Sequence, residues 1–149
     1  CFTGLSYSDV KKLTFDHIKT SFDGDSWIIA HRQKTGTPFH IKLLPIAKQL
    51  IENYRPISKN NLVFPVPSAC DNMNRTLQRI ARDCGLKKHI TMHMARHSFA
   101  TRCIESKCDY KTVSVLLGHS NISTTLNLYV HPNLEQKKRC MEQMSKLLR

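Results

Sequence analysis

A histidine and an arginine lie three residues apart in the segment "HMARH", and this pair is the first place where the sequence suggests chemistry. If the segment is helical, His93 and Arg96 project from the same face. A guanidinium offers a planar pair of donors that matches phosphate oxygens, and an imidazole can transfer protons near neutral pH. Such a pair is also common on solvated helix faces, so the motif alone does not establish a site.

Two further motifs supply groups of the same kind. In "LLGHSNISTTLNLY", Gly118 is predicted to end a helix, His119 follows at the turn, and Tyr129 lies near the end of the next helix. In "HRQKTG", Arg32 and Lys34 are two residues apart and are predicted to share one face of a strand. Lys34 is then at a hairpin tip, from which a mobile side chain can reach a ligand held elsewhere. Each feature also has a common structural explanation, namely packing for the tyrosine and solvent exposure for the lysine.

Together these groups fit one reaction, the attack of a tyrosine on a phosphodiester. A free tyrosine has a pKa of about 10 and needs nearby cations to act as a nucleophile. Arg96 and His119 would stabilise charge on the non-bridging oxygens, and Lys34 would protonate the leaving oxygen. His93 would take the proton of Tyr129 or orient its neighbours. This chemistry needs no metal, and no cluster of carboxylates in the sequence suggests a two-metal nuclease.

The elements that must position these residues are predicted to be mostly helical, with one small antiparallel sheet. Three β-prone runs, 15–20, 26–32 and 37–44, are separated by the turn sequences "DGD" and "KTGTP". A short helix is predicted at 7–14, capped by Ser6 or Ser8, and another begins at Pro45. A loop is predicted at 55–71. Beyond it, four segments are predicted to form helices that end at Gly85, near Ser106, at Gly118 and before Pro132, and a fifth to run to the C-terminus. The predicted class is therefore α+β, mostly α, with a three-stranded sheet.

Composition favours an anionic partner. The 149 residues carry 23 Lys and Arg against 11 Asp and Glu, a formal net charge of +12, which points first to nucleic acid and second to an anionic membrane. No apolar run approaches the roughly 20 residues of a membrane span. The six cysteines contain no C-x-x-C pair, so a zinc site is not expected, and without a secretory signal they are predicted to be reduced cytoplasmic thiols.

Four segments in this order, "FTGLSYSDVKKLT", "RQKTG", "HMARHSFAT" and "LLGHSNISTTLNLYVH", resemble the catalytic domain of tyrosine recombinases, the phage-type integrases. The motifs are most similar to those of integrases from bacterial mobile elements such as conjugative transposons. The resemblance implies cleavage and rejoining of duplex DNA through a 3′-phosphotyrosine intermediate, without a cofactor. It assigns the nucleophile, the paired His and Arg, the later His and the general acid to Tyr129, His93, Arg96, His119 and Lys34. It further implies supporting roles for Asp9 and His97.

The resemblance also implies partners. Such enzymes work as homotetramers on two DNA duplexes, often with accessory DNA-bending or excision factors, although the isolated chain can be a monomer. Their last helix often docks on a neighbouring protomer, and docking within the same chain is an equal alternative for "CMEQMSKLL" here. Residues 1–149 are expected to form one catalytic domain, and the N-terminal DNA-binding domain of the family is expected to lie outside this sequence.

One position departs from the family pattern. Where "TGL" is normally followed by an arginine that binds the scissile phosphate, this chain has Ser6. The loss of one such donor typically slows catalysis on the order of 10²–10³-fold. We expect another cation to fill the gap, with Arg32 as the first choice. Two alternatives remain: a cation from another part of the protein, or a slower or inactive enzyme.

Two other functions stay open at this point. A type IB topoisomerase would share the tyrosine–phosphate chemistry but would relax supercoils without pairing two sites. A DNA-binding module that has kept the fold and lost activity is the other alternative, and Ser6 is its only support.

Overall fold

The computed structural model describes the backbone of residues 1–129 and 134–147, and their side chains except those of 128–129, 134–136 and 139–140. Seven helices are described, α1 to α7: Tyr7–Lys11, Pro45–Tyr54, Cys70–Asp83, Met92–Glu105, Tyr110–Leu117, Ile122–Tyr129 and Leu134–Leu147. Three strands, β1 to β3, span Ile18–Thr20, Ser26–His31 and Pro38–Lys42. The predicted class, mostly α with a small sheet, is confirmed.

The three strands form one antiparallel sheet in the order β1-β2-β3. Ile28 of β2 lies opposite Ile18 of β1 and Ile41 of β3, so apolar side chains align on the buried face. The loop 32–37 joins β2 to β3, and Lys34 is in its turn, as predicted. The strand ends at His31, however, so the prediction that Arg32 and Lys34 share a strand face was wrong. The Arg32 N–H still bonds to the Thr37 carbonyl across the hairpin, but Lys34 is in the turn, so strand alternation does not decide where its side chain lies.

The helix boundaries follow the capping residues closely. The α2 helix begins at Pro45, where a missing N–H removes no hydrogen bond, and Thr91 caps α4 by accepting from the N–H of Met94. Gly85 and Gly118, both with positive φ, follow the ends of α3 and α5. The last two residues of the segment predicted to end before Pro132, 130–131, lie outside the described residues.

The region predicted as a loop is shorter than expected. A turn of 3₁₀ helix spans Arg55–Ile57, and α3 begins at Cys70 rather than after the loop at 71. Asp71 lies in the first turn of α3, where a carboxylate interacts favourably with the helix dipole. Asp71 and Asn72 are residue types that are common in loops, but they are also common at helix N-termini. In the structure they lie in the first turn of α3.

Two apolar clusters hold these elements. The larger one joins the sheet to α1, α2 and the segment after Asn61, and its buried members are Leu5, Leu13, Ile28, Phe39, Ile41, Leu43, Ala47, Ile51 and Val63. The smaller one joins α4 to α5 through Ala100, Val113 and Leu117. Since the groups that suggest chemistry come from both sides, the packing of these two clusters must set their relative positions. Among the described residues, none of the helices combines the length and apolar character that crossing a bilayer requires.

Candidate active site

A cavity of about 200 Å³ lies where the start of α1, the loop after β2, α4 and the α5–α6 connection meet. The predicted site residues that line it are Ser6, Asp9, Arg32, Lys34, Arg96 and His119. These six residues come from four separate segments of the sequence, and the fold brings them to one place. Two arginines, one lysine and one buried carboxylate line this cavity, so its formal charge is positive.

Ser6 is the N-cap of α1, and it organises the carboxylate behind it. Its hydroxyl donates to the Asp9 carboxylate over 2.7 Å and accepts from the Asp9 backbone N–H. The Ser6 backbone N–H donates to the same carboxylate, which completes a capping box. Asp9 is only 6% exposed. Burial alone would raise the pKa of Asp9, but hydrogen bonds from the Gln33 N–H, from Arg32 and from Ser6 outweigh it and hold the pKa below its ordinary value. Asp9 is therefore a charged carboxylate at neutral pH.

Arg32 is the partner of that carboxylate and is itself buried, with 5% exposure. Its Nη1 lies 2.8 Å from Asp9, its Nη2 donates to the Leu116 carbonyl over 2.6 Å, and its guanidinium lies over the ring of Phe39. Its Nε is buried without a hydrogen-bond partner among the described residues. The aliphatic part of Arg32 passes so close to Gly118 that a Cβ there would lie 2.8 Å from its Cγ.

Arg96 lines the cavity from α4, the helix that carries the "HMARH" motif. Its Nη1 donates to the Gly4 carbonyl over 2.7 Å, and its Nη2 donates to the Leu117 carbonyl over 2.5 Å. Gly4 has φ +64° and lies against the ring of Phe99, so a larger residue there would be strained and would collide with that ring. The backbone turns at 4 and 117 thus fix the guanidinium of Arg96.

His119 follows the left-handed Gly118 and faces the same cavity. Its backbone N–H bonds to the Ser114 carbonyl, and its Nδ1 lies 2.8 Å from the hydroxyl of Thr125. Burial lowers the pKa of His119 to about 4, and the charges of Arg96 and Arg32 act in the same direction. The imidazole is therefore neutral at pH 7 when the cavity holds no anion.

His93 and His97 are beside the cavity rather than in the wall described above. Their rings meet edge to face with centroids 4.3 Å apart, and His93 is exposed to solvent. Burial, and then the neighbouring His93 and Arg96, lower the pKa of His97. The predicted contribution of His93 to proton transfer is not tested by this arrangement and stays a prediction.

Two further predicted site residues are at the ends of elements, Lys34 in a turn and Tyr129 at the end of a helix. Lys34 is exposed in the turn between β2 and β3, and it lines the cavity. Tyr129 is the last residue of α6, the helix that begins just after the His119 turn. Its side chain lies outside the described residues, so its role as nucleophile also stays a prediction.

The sequence reasoning missed the hydroxyl groups around the site. Thr35, Ser120 and Thr124 line the cavity, and Thr125 bonds to His119 from behind. The only signal was the position of Thr125 four residues before Tyr129, one helical turn away. Within the part of the chain that the structure describes, no group of three or more His, Cys, Asp or Glu residues is arranged to hold a metal. The expectation that the chemistry uses side-chain cations stays a prediction.

A family model described as "Phage integrase family" matches residues 2–136. The chain belongs to the phage integrase family. The match covers every segment that lines the cavity, including the Ser6 position. The resemblance predicted from the four motifs is confirmed at the level of the family.

Curated relatives and solved structures agree with the family. The chain is 35% identical over 141 residues to tyrosine recombinase XerD of Listeria innocua, a match that covers 87% of this chain and 46% of the relative. It thus spans about half the length of the curated relatives it matches.

The fold is similar to that of the Tn1549 transposon integrase, solved in complex with a circular intermediate DNA, with TM-score 0.75, 20% identity, and coverage of 96% of this chain and 55% of that one. The XerA recombinase gives TM-score 0.76 at 20% identity, over 96% and 54% of the two chains. At this identity the likeness concerns the fold.

Proposed function

We propose that this chain is the catalytic domain of a site-specific DNA recombinase that cleaves and rejoins duplex DNA through a 3′-phosphotyrosine intermediate. The observation that carries the proposal is the cavity itself: Arg32, Arg96, Lys34 and His119 line one small space beside the helix that ends at Tyr129. Such a convergence of cations fits the charge that develops on a phosphate during displacement. Membership of the phage integrase family and the likeness to XerD support the same reaction.

The reaction is a transesterification in which atoms and charges balance. The phenol oxygen of Tyr129 attacks phosphorus and the bond to the 5′ oxygen breaks, leaving a 3′-phosphotyrosine and a free 5′-hydroxyl. Lys34 protonates the departing oxygen, and the phenol proton passes to His93 or to water. Attack by the 5′-hydroxyl of another strand reverses the chemistry and completes the exchange. No metal or cofactor is required in this scheme because the side chains supply the positive charge.

Arg32 takes the role of the arginine that the family pattern has at position 6, where this chain has Ser6. Arg32 lines the cavity together with Ser6 and Arg96, and Asp9 and the Leu116 carbonyl hold its guanidinium. Ser6 then has a different task, which is to cap α1 and to orient Asp9. The cost of this arrangement is that Asp9 offsets part of the positive charge of Arg32. The replacement is therefore expected to be weaker than a free arginine.

Covalent capture tests the proposal. The chain is incubated with nicked duplexes tiled over the DNA that flanks its gene, and denatured samples are examined for protein joined to a labelled 3′ end. We expect an adduct that disappears in Tyr129→Phe. If no duplex gives an adduct with the complete protein, the enzymatic function is refuted.

The role of Arg32 has its own test with the same duplexes. We expect Arg32→Ala to slow cleavage on the order of 10²–10³-fold, the typical loss for one donor. Unchanged cleavage would eliminate Arg32 as the replacement. A strong increase in Ser6→Arg would show that the replacement is incomplete.

The proposed partner is double-stranded DNA. We expect four copies of the protein to act together on two duplexes, in the cytoplasm of a bacterium. The proposed purpose is the integration or excision of a mobile element. The net charge of +12 and three exposed arginines on α3, Arg75, Arg79 and Arg82, suit a phosphate backbone. The Tn1549 integrase, which shares the fold, was solved with its circular intermediate DNA. Binding is expected to weaken steeply with salt because each lysine or arginine contact releases counterions.

A catalytically weakened DNA-binding module is the second candidate, and Ser6 is the observation that favours it. It predicts DNA binding by a chain that gives no adduct even with Ser6→Arg. A type IB topoisomerase-like enzyme would instead relax any supercoiled plasmid, with no requirement for a site sequence.

A further inference from the structure

Thr125 is a fully buried polar residue that the proposed reaction does not use. It is 0% exposed and lies on α6, one turn before Tyr129. A buried hydroxyl without a hydrogen bond is costly, so its partner identifies its task. Its Oγ1 lies 2.8 Å from Nδ1 of His119.

Other helical threonines in the chain make a different bond. The hydroxyls of Thr76 in α3 and Thr101 in α4 donate to the carbonyl oxygen four residues earlier. This is the usual local bond of a threonine within a helix. Among the described residues, the bond found for the Thr125 hydroxyl is the one to His119, so a tertiary contact takes the place of the local one.

The direction of this bond decides what His119 offers to the cavity. A neutral imidazole carries its proton on one nitrogen and accepts on the other. The ring is neutral because burial and the nearby charges of Arg96, Arg32, His97 and His93 lower its pKa. If the hydroxyl donates to Nδ1, the proton must be on Nε2, which is then a donor. A phosphate oxygen needs a donor, so this tautomer is the one that suits the site.

We propose that Thr125 is a positioning residue whose hydroxyl donates to Nδ1 of His119 and holds the ring as the neutral Nε2–H tautomer, ready to donate to a phosphate oxygen. Because Thr125 is one turn before Tyr129, the same bond ties the helix of the nucleophile to the phosphate-binding wall. The second part of this inference rests on the proposed function, whereas the tautomer does not.

The tautomer is measured directly by ¹⁵N NMR of the imidazole nitrogens in the free 149-residue chain at pH 7. The signals of His119 are assigned by their loss in His119→Gln. We expect Nε2 to carry the proton in the wild-type chain and in Thr125→Ser, which keeps the hydroxyl. In Thr125→Val, which keeps the shape, we expect a mixture of tautomers. A proton on Nδ1 in the wild-type chain would overturn the proposal whether or not any variant folds.

Cleavage provides the second readout, with the duplex that gives the tyrosine adduct. We expect Thr125→Val to slow cleavage by about 10- to 100-fold, the loss seen when the outer partner of a metal-binding histidine is removed. DNA affinity should change little, and Thr125→Ser should restore most of the rate. Thr76→Val is the matched control, because it removes a helical hydroxyl away from the cavity. Equal losses in Thr76→Val and Thr125→Val would reduce Thr125 to a structural residue.

The two proposals fail in different ways. If no adduct forms with any chain, the proposed function fails, and the NMR result still decides the tautomer. If adducts form normally in Thr125→Val, the positioning role is refuted and the recombinase function stands.

Discussion

The two walls of the cavity hold an arginine by different means. On the sheet side, Arg32 is buried and paired with the carboxylate of Asp9, which Ser6 in turn orients. On the helical side, Arg96 donates to the backbone carbonyls of Gly4 and Leu117. A carboxylate fixes a guanidinium strongly but offsets its charge, whereas the neutral carbonyl groups of Gly4 and Leu117 orient the guanidinium of Arg96 without offsetting its charge. We therefore expect the removal of Arg32, which leaves a buried carboxylate without its partner, to be especially destabilising.

The largest expected difference between the walls is in stability. Arg32→Met leaves the buried Asp9 without its charged partner and should lower the free energy of unfolding by about 3–5 kcal/mol. Arg96→Met removes bonds to two neutral carbonyl groups, those of Gly4 and Leu117, and should cost less, as measured by urea denaturation. Asp9→Asn combined with Arg32→Met should recover part of the loss. Equal losses in the two single variants would contradict the comparison.

A smaller effect is expected where the walls meet at Gly118. Gly118→Ala places a Cβ against Arg32 in a left-handed conformation, whereas Gly85→Ala has similar backbone strain with no atom within 4 Å. Each should lose about 1–2 kcal/mol from the left-handed backbone. Gly118→Ala should lose about 1–3 kcal/mol more, because Arg32 must move aside. Thermal unfolding of both variants isolates this contact, and equal losses would show that Arg32 moves freely.

The helical wall should also make stability depend on pH. The pKa of His119 is about 4 in the folded chain, below its ordinary value of 6.5, so the unfolded chain binds more protons between these values. Stability should therefore fall as the pH decreases from about 6.5 towards 4. His119→Gln should flatten this part of the profile of stability against pH. The profile is measured by urea unfolding at several pH values.

The control for that profile is His40→Gln, at an exposed histidine on β3. Asp9 affects stability at a lower pH than His119 does. Its pKa in the folded chain is below the ordinary value of 3.8, so its contribution to stability is lost only as the pH falls through that folded pKa. An identical profile in His119→Gln and the wild-type chain would refute the burial of a neutral His119.

The smallest expected effect concerns Ser6. Ser6→Ala removes the N-cap of α1 and a donor to Asp9, and should cost about 1 kcal/mol. Ser8→Ala, which removes only the hydroxyl that meets Ser6, is the matched control. If Ser6→Ala loses no more free energy of unfolding than Ser8→Ala, the capping role of Ser6 does not contribute to stability.

Much of the local structure could be predicted from the sequence because local chemistry decides it. The Pro45 helix start, the Thr91 cap, the turn that carries Lys34 and the Gly118 helix end all depend on a few adjacent residues. The four motifs also sufficed to place the chain in its family. The errors arose where the local sequence is compatible with two structures. Asp71 suits a loop or a helix start, and the residues after His31 suit a strand or a turn.

The tertiary structure alone decided how the site is held together. The contacts of Arg32 with Asp9 and Leu116 span 23 and 84 residues, and that of Arg96 with Gly4 spans 92. No spacing rule reaches such distances, because they depend on how the two apolar clusters pack. The sequence by itself therefore determined which chemical groups are available and which family they belong to. Packing decided that Asp9 holds Arg32, and that Arg32, Arg96 and His119 line one cavity.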